Sequence, residues 1–244
     1  MRYYDILRQG CVSAALLAGT ATAALATPTD IQGVVELFTS QGCSKCPPAD
    51  RLLTTMAGKP DTVTLTFAIN YWDYIGWKDT LAAPEFTARQ KAYASGRGDL
   101  HVYTPEAIVD GEFDAIGSDR PAIEKAMTEG RTGGLALSVP VHLSEANGVL
   151  QIDIGHGAGP AGIYVLRVAK SRTVLISRGA NSGHNATYTN VVRAIHKVGV
   201  WSGAPMSLKL TELRGDDEGY VVLLQRGSLD NPGVILAAAK SDGL

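Results

Sequence analysis

The alternation of apolar and polar positions changes character about halfway along the chain. Val34–Phe38 (VVELF) and Thr62–Ile69 (TVTLTFAI) are β-branched and apolar runs bounded by turn formers, which predicts two strands. Ala49–Ala57 sets Leu52, Leu53 and Met56 on one helical face, and Ala82–Ser95 reads as a helix opened by Pro84. Ala107–Val109 and Phe113–Ile116 flank Asp110-Gly111 as a hairpin. A third helix starts at Asp119-Arg120-Pro121 and stops at Gly130. From Leu135 onward the helical period fades, and Leu135, Leu137, Val139, Val141 and Leu143 alternate with smaller or polar residues. Asn147-Gly148 gives a tight-turn signal before VLQIDI, and IYVLRVA, TVLIS, SLKLTEL, GYVVLLQ and GVILAAA supply further strands. The pattern predicts an α/β domain (β-α-β-α-β-β-α) over residues 27–131. An all-β sandwich-like domain follows over residues 132–244, with the boundary in Gly130–Gly134.

The first residues carry a different signal. Arg2 and Arg8 precede CVSAALLAGTATAALA, an uncharged run that ends in Ala24-Leu25-Ala26. A basic start, a short apolar stretch and a small-x-small end predict a secretory signal peptide at residues 1–26, and hence a periplasmic or secreted protein. Its removal would leave Cys43 and Cys46 as the remaining cysteines, in an oxidising compartment and with no stable membrane insertion. With 22 Lys+Arg against 24 Asp+Glu the net charge is −2, so no basic surplus exists to hold nucleic acid.

The chemistry concentrates in Cys43-Ser44-Lys45-Cys46, which follows a strand and a short loop and precedes a helix. A helix N-terminus favours a thiolate, and Lys45 adds a positive charge. Cys43 is the expected nucleophile and Cys46, three residues on, the resolving thiol. A zinc site needs two more ligands at short spacing, which the sequence lacks nearby, and haem attachment needs His where Pro47 stands. A bridge across so short a loop stabilises little. Pro47-Pro48 requires either an irregular first turn or a later helix start.

Glu36 interrupts an apolar strand seven residues before Cys43. It is expected either beneath Cys46, accepting the proton of the resolving thiol, or on a solvated strand face. Tyr71-Trp72-Asp73-Tyr74-Ile75-Gly76-Trp77 follows the second strand, with Trp72 divided between a substrate wall and core packing and Trp77 read as core. His101 stands two residues ahead of Tyr103-Thr104-Pro105, which leads into the AIV strand.

The strand, C-x-x-C, helix and later Thr-Pro before a hairpin resemble the thioredoxin-like superfamily. ELFTSQGCSKCPPAD, NYWDYIGWKD and YTPEAIVDG more closely resemble a family of secreted, mostly bacterial proteins of unknown function with such a fold. Arg178–Gly183 and Thr189–Arg193 match a later block of that family. The resemblance implies a thioredoxin-like first domain. It also implies a cis Pro105 that places the Thr104 backbone beside Cys43, with Tyr103 and Trp72 along an extended substrate. These readings together anticipate an exported thiol–disulfide oxidoreductase with no cofactor, acting on a disulfide-containing protein or a small thiol. The alternatives are a module that handles a soft metal such as copper, with His101 as a further ligand, and a non-catalytic binding protein.

Overall fold

The computed structural model describes residues 30–211, 215 and 217–244; the expected signal peptide lies outside them. Gly33–Thr39 (β1) and Thr62–Ala68 (β2) run parallel and are buried along their whole length. Three helices, Pro47–Ala57 (α1), Pro84–Arg97 (α2) and Arg120–Thr132 (α3), each carry Pro in the first two positions. There the missing N–H has no partner to lose. Glu106–Val109 (β3) pairs antiparallel with β1, and Phe113–Ile116 (β4) closes that edge. The later strands are Val141–Ala146 (β5), Val149–Ile154 (β6), Ala161–Leu175 (β7), Asn185–Trp201 (β8), Met206–Thr211 (β9), Glu218–Ser228 (β10) and Asn231–Lys240 (β11). Among the described residues, no helix is long and apolar enough to cross a membrane.

These strands overturn the expected pairing of a thioredoxin-like α/β domain with a β-sandwich. Eight of them form one mixed sheet in the order β11-β10-β7-β8-β2-β1-β3-β4, and β5-β6-β9 form a second sheet of three. The join is at β8, which adds parallel to the free edge of β2, with Val191 opposite Thr66. Thr66 Oγ1 donates to the Thr189 carbonyl at 2.7 Å, and Asn190 Nδ2 to Thr64 Oγ1 at 3.0 Å. Strand period is the same whether a strand pairs within its own half or onto an existing edge, so periodicity could not reveal the join. The IYVLRVA and TVLIS runs, expected as separate strands, are one continuous β7.

The middle of the large sheet is buried on both faces, while β4 and the distal ends of β7 and β8 reach solvent. Val34, Phe38, Leu65 and Phe67 pack with Phe86 and Tyr93 of α2, and with Leu166, Leu223 and Ile235 from the C-terminal half. On the other face, Val35 and Leu37 meet α1 and α3 through Leu53, Met56 and Ile123. Farther along that face, Ile163, Val165, Val222 and Leu224 are covered by Leu150, Ile152 and Ile154 of β6. Two-sided burial explains why the runs in β7 and β10 are almost continuously apolar.

Glu36 lies on the α2 face, fully buried, because alternation points it away from its neighbours Val35 and Leu37, which pack against α1. Arg89 meets it with two bonds, Nε to Oε2 at 2.6 Å and Nη2 to Oε1 at 2.8 Å. The Tyr93 hydroxyl donates to Oε1 at 2.8 Å, and Arg89 Nη2 also reaches Gln225 Oε1 of β10 at 2.9 Å. The expected place beneath Cys46, and the solvated alternative, are both corrected: this carboxylate is the centre of a buried ion pair. Removing one partner strands a charge, so Arg89→Met should cost about 3–5 kcal/mol. In urea unfolding, the Glu36→Leu/Arg89→Met double variant should recover much of that loss; single and double variants of equal stability would refute the role.

Candidate functional site: the dithiol loop

The chain between β1 and α1 turns through Ser40–Cys46. Cys43 N–H donates to the Ser40 carbonyl at 3.1 Å, and Cys46 N–H to that of Cys43 at 3.2 Å. The regular helix starts at Pro47 with Cys46 as its N-cap, which resolves the Pro47-Pro48 difficulty in favour of a later start. Cys43 therefore lies in the turn ahead of the helix rather than at its end. The helix terminus supplies less positive potential than expected, since Pro47 and Pro48 carry no N–H and the next two N–H groups bond the Cys46 carbonyl. Cys43 and Cys46 are joined in a disulfide, with Cα atoms 5.4 Å apart. Both are buried, at 3% and 0% exposure, while Ser44 and Lys45 face solvent.

Gln41 is the anchor of this loop. Its N–H donates to Asp79 Oδ2 at 2.7 Å, its side-chain Oε1 accepts from Trp77 Nε1 at 2.8 Å, and its carbonyl accepts from Asn181 Nδ2 at 2.9 Å. Asn181 Nδ2 also donates to the Cys43 carbonyl at 2.9 Å. Asn181 sits in the β7–β8 hairpin loop, inside the Arg178–Gly183 block. That block's purpose is thus to grip the dithiol loop from the C-terminal half. Gly179 allows the approach, with φ of +79° and a Cβ there lying 3.2 Å from Trp77 Cβ. Trp77, expected in the core, is a hydrogen-bond donor to this anchor instead.

The Tyr103–Pro105 segment forms the opposite wall. The Thr104–Pro105 peptide is cis, and the Thr104 carbonyl lies 3.7 Å from Cys43 Sγ. Trp72 Nε1 donates to Thr104 Oγ1 at 2.7 Å, and its ring stacks on Tyr74, which is 81% exposed. Tyr103 gives its carbonyl to Gln90 Nε2 and its hydroxyl to Asp114. Cys43, Cys46, Thr104, Pro105 and Trp72 are thus gathered at one sheet end, with Tyr103 behind them. Glu36 is not part of that group, and Lys45 points to solvent. His101 is exposed, with its ring against Tyr103.

Asp50 was missed by the sequence reading. It follows Cys46 by one helical turn, and Thr39 Oγ1 donates to its Oδ1 at 2.8 Å. Burial pushes its carboxyl up to about 7, with Asp79 adding to the rise and Thr39 and Arg51 opposing it. Asp79 is raised too, mainly by burial, against the N–H groups of Gln41 and Leu81. An acid four residues after an N-cap reads in sequence as ordinary helix-end chemistry, so nothing marked Asp50 as buried.

The family described as protein of unknown function (DUF1223) matches residues 34–225. The chain belongs to that family. The crystal structure of protein AGR_C_4864 from Agrobacterium tumefaciens is similar at 37% identity and a TM-score of 0.80, over 88% of this chain and 95% of that one. HBP35 of Porphyromonas gingivalis shares the fold at 14% identity and a TM-score of 0.59, over 86% of this chain and 74% of that one. A comparison with curated proteins finds no match.

Two outcomes follow from this geometry. Asn181→Ala takes the side-chain donor from the Gln41 carbonyl and leaves the Cys43 carbonyl with the Cys46 N–H alone, so unfolding stability should fall by about 1–3 kcal/mol. Amide exchange should quicken at Cys43 but not in β10; unchanged exchange at Cys43 would show that the grip is dispensable. The second outcome concerns Asp50. Its folded value lies above the ordinary carboxyl value of 3.8, so the folded state holds a proton that the unfolded chain releases. That contribution is complete below about 3.8 and is lost as pH rises through about 7. Relative to Asp50→Asn, the wild type should therefore lose thermal stability between pH 4 and about 7. Parallel Tm profiles would contradict it.

Proposed function

We propose that this protein is an exported thiol–disulfide oxidoreductase working through Cys43 and Cys46. The observation that carries the reading is how the dithiol loop is held. Its backbone is held by Asp79 and Asn181 and its Gln41 side chain by Trp77, none of these bonds being made to a sulfur. A disulfide closing so small a loop adds little stability. A bond the loop does not need for its shape is free to be made and broken. Export rests on the leader-like segment of residues 1–26 and suits a disulfide-permissive compartment.

In the reducing direction, the Cys43 thiolate attacks one sulfur of a substrate disulfide and expels the other as a thiolate. The Cys46 thiolate then attacks Cys43 and releases the second substrate thiolate, restoring the Cys43–Cys46 bond. Two electrons pass to the substrate, and the protons of the two cysteines pass to the released thiolates through solvent. The reverse sequence oxidises a dithiol. Thr104 and Trp72 border the reacting sulfur, and the near-complete burial of Cys43 means that a substrate must open this rim to reach it. The partner is a disulfide-containing protein or a small thiol.

Trapping tests this directly. Cys46→Ser protein challenged with glutathione disulfide should accumulate one glutathione adduct on Cys43, read by intact mass, whereas Cys43→Ser protein should not. Folding of both is checked by near-UV circular dichroism. Folded Cys46→Ser protein without an adduct, or equal adducts on both variants, would overturn the reading.

A further inference from the structure

Beside the dithiol loop, α1 and the β7–β8 hairpin border an open cleft of about 470 Å³. Pro47, Asp50 and Thr54 form one wall, and Ile176, Asn181 and Tyr188 the other. The volume falls within the usual range of small-molecule sites, and the lining sets Pro47, Ile176, Ala186 and Tyr188 among polar side chains. The Thr54 and Thr189 hydroxyls, 2.9 Å apart, link α1 to β8.

The lining carries one carboxyl, Asp50, and one arginine, Arg51, which do not pair with each other. Asp50 has a hydrogen bond from Thr39 but forms no ion pair among the described residues. The groups facing it are Tyr188 from β8, Asp79 from the loop after β2, Arg51 from its own helix and His184 from the hairpin loop. Asp79 and burial both disfavour its charge, and Arg51 extends into solvent at the rim. Asp50 and burial in turn hold the Tyr188 hydroxyl well above its ordinary value, so it stays a neutral phenol. A half-buried carboxyl that forms no ion pair, next to an aromatic ring, is the complement of an ammonium group. An anion would meet Asp50 and gain only a solvated arginine.

We propose that this cleft is a binding site for a small organic cation, a primary ammonium carried on a compact apolar body. The ammonium pairs with Asp50, and the apolar body lies against Pro47, Ile176 and Tyr188. The site is separate from the sulfur chemistry and does not depend on it.

The test uses oxidised protein and three probes of one shape: 2-phenylethylammonium, 2-phenylethanol and 3-phenylpropionate. Binding is followed by calorimetry and by the NMR signal of the Asp50 carboxyl. The ammonium should bind at least tenfold more tightly than the alcohol, and it should lower the Asp50 midpoint from about 7. Its affinity should rise about tenfold between pH 6 and pH 8, as the fraction of ionised Asp50 grows. Asp50→Asn should abolish the preference over the alcohol. If that variant does not fold, the pH dependence in wild type and a cleft-filling Thr54→Leu variant, expected to lose binding, decide the matter. Equal binding of ammonium and alcohol, preference for the carboxylate, or no binding of any probe would overturn the proposal.

Discussion

A carboxylate with no access to water must have a cation beside it, and here the two partners come from opposite ends of the first half of the fold. Glu36 sits in β1, Arg89 in α2, and Gln225 of β10 completes the set from the far half of the sheet. Each of these groups is costly to bury alone, and the cost disappears only when all are in place. The network therefore ties α2 to β1 and β10 at once through side chains. A fold made of two independent domains would leave Arg89 short of an acceptor. The single eight-stranded sheet adds the Gln225 acceptor to Arg89 Nη2, while Nη1 is buried without a hydrogen-bond partner.

The same logic operates at the dithiol loop on a smaller scale. Gln41 and Cys43 expose carbonyls that no sheet or helix can satisfy, and the Asn181 amide from 140 residues away bonds both. The C-terminal half is thus more than a covering module. It supplies the residue that fixes the loop carrying Cys43, and it forms one wall of the cleft at Asp50. Shape and bonding at the loop come from backbone and amide contacts, which leaves the sulfur–sulfur bond with little structural work.

Local signals in the sequence were strong where one period dominates. The two buried strands, the proline-led helices and the Asn147-Gly148 turn were all legible, because each rests on residues close together in the chain. The Cys43–Cys46 pair and its Thr104 neighbour were legible through a resemblance. What could not be read was anything settled between distant positions. Glu36 looked like a stray acid because Arg89 lies in a helix whose polar and apolar faces are weakly separated. Strand β8 was hidden because half its length is exposed on both sides and carries no clean alternation. Asn181 was noticed only as part of a block, since an asparagine between two glycines reads first as a turn residue.

Cys43 and Cys46 can cycle only where the dithiol loop keeps its shape without its disulfide. Equilibrium titration of the pair against reduced and oxidised glutathione, with the Trp77 indole N–H signal followed at each point, tests this most directly. Structural disulfides have potentials below about −300 mV. A reversible two-electron transition above that value is expected, with the Trp77 signal, and hence its bond to Gln41, retained in the reduced protein. A pair that stays oxidised throughout, or a Trp77 signal that collapses as the bond opens, would contradict it.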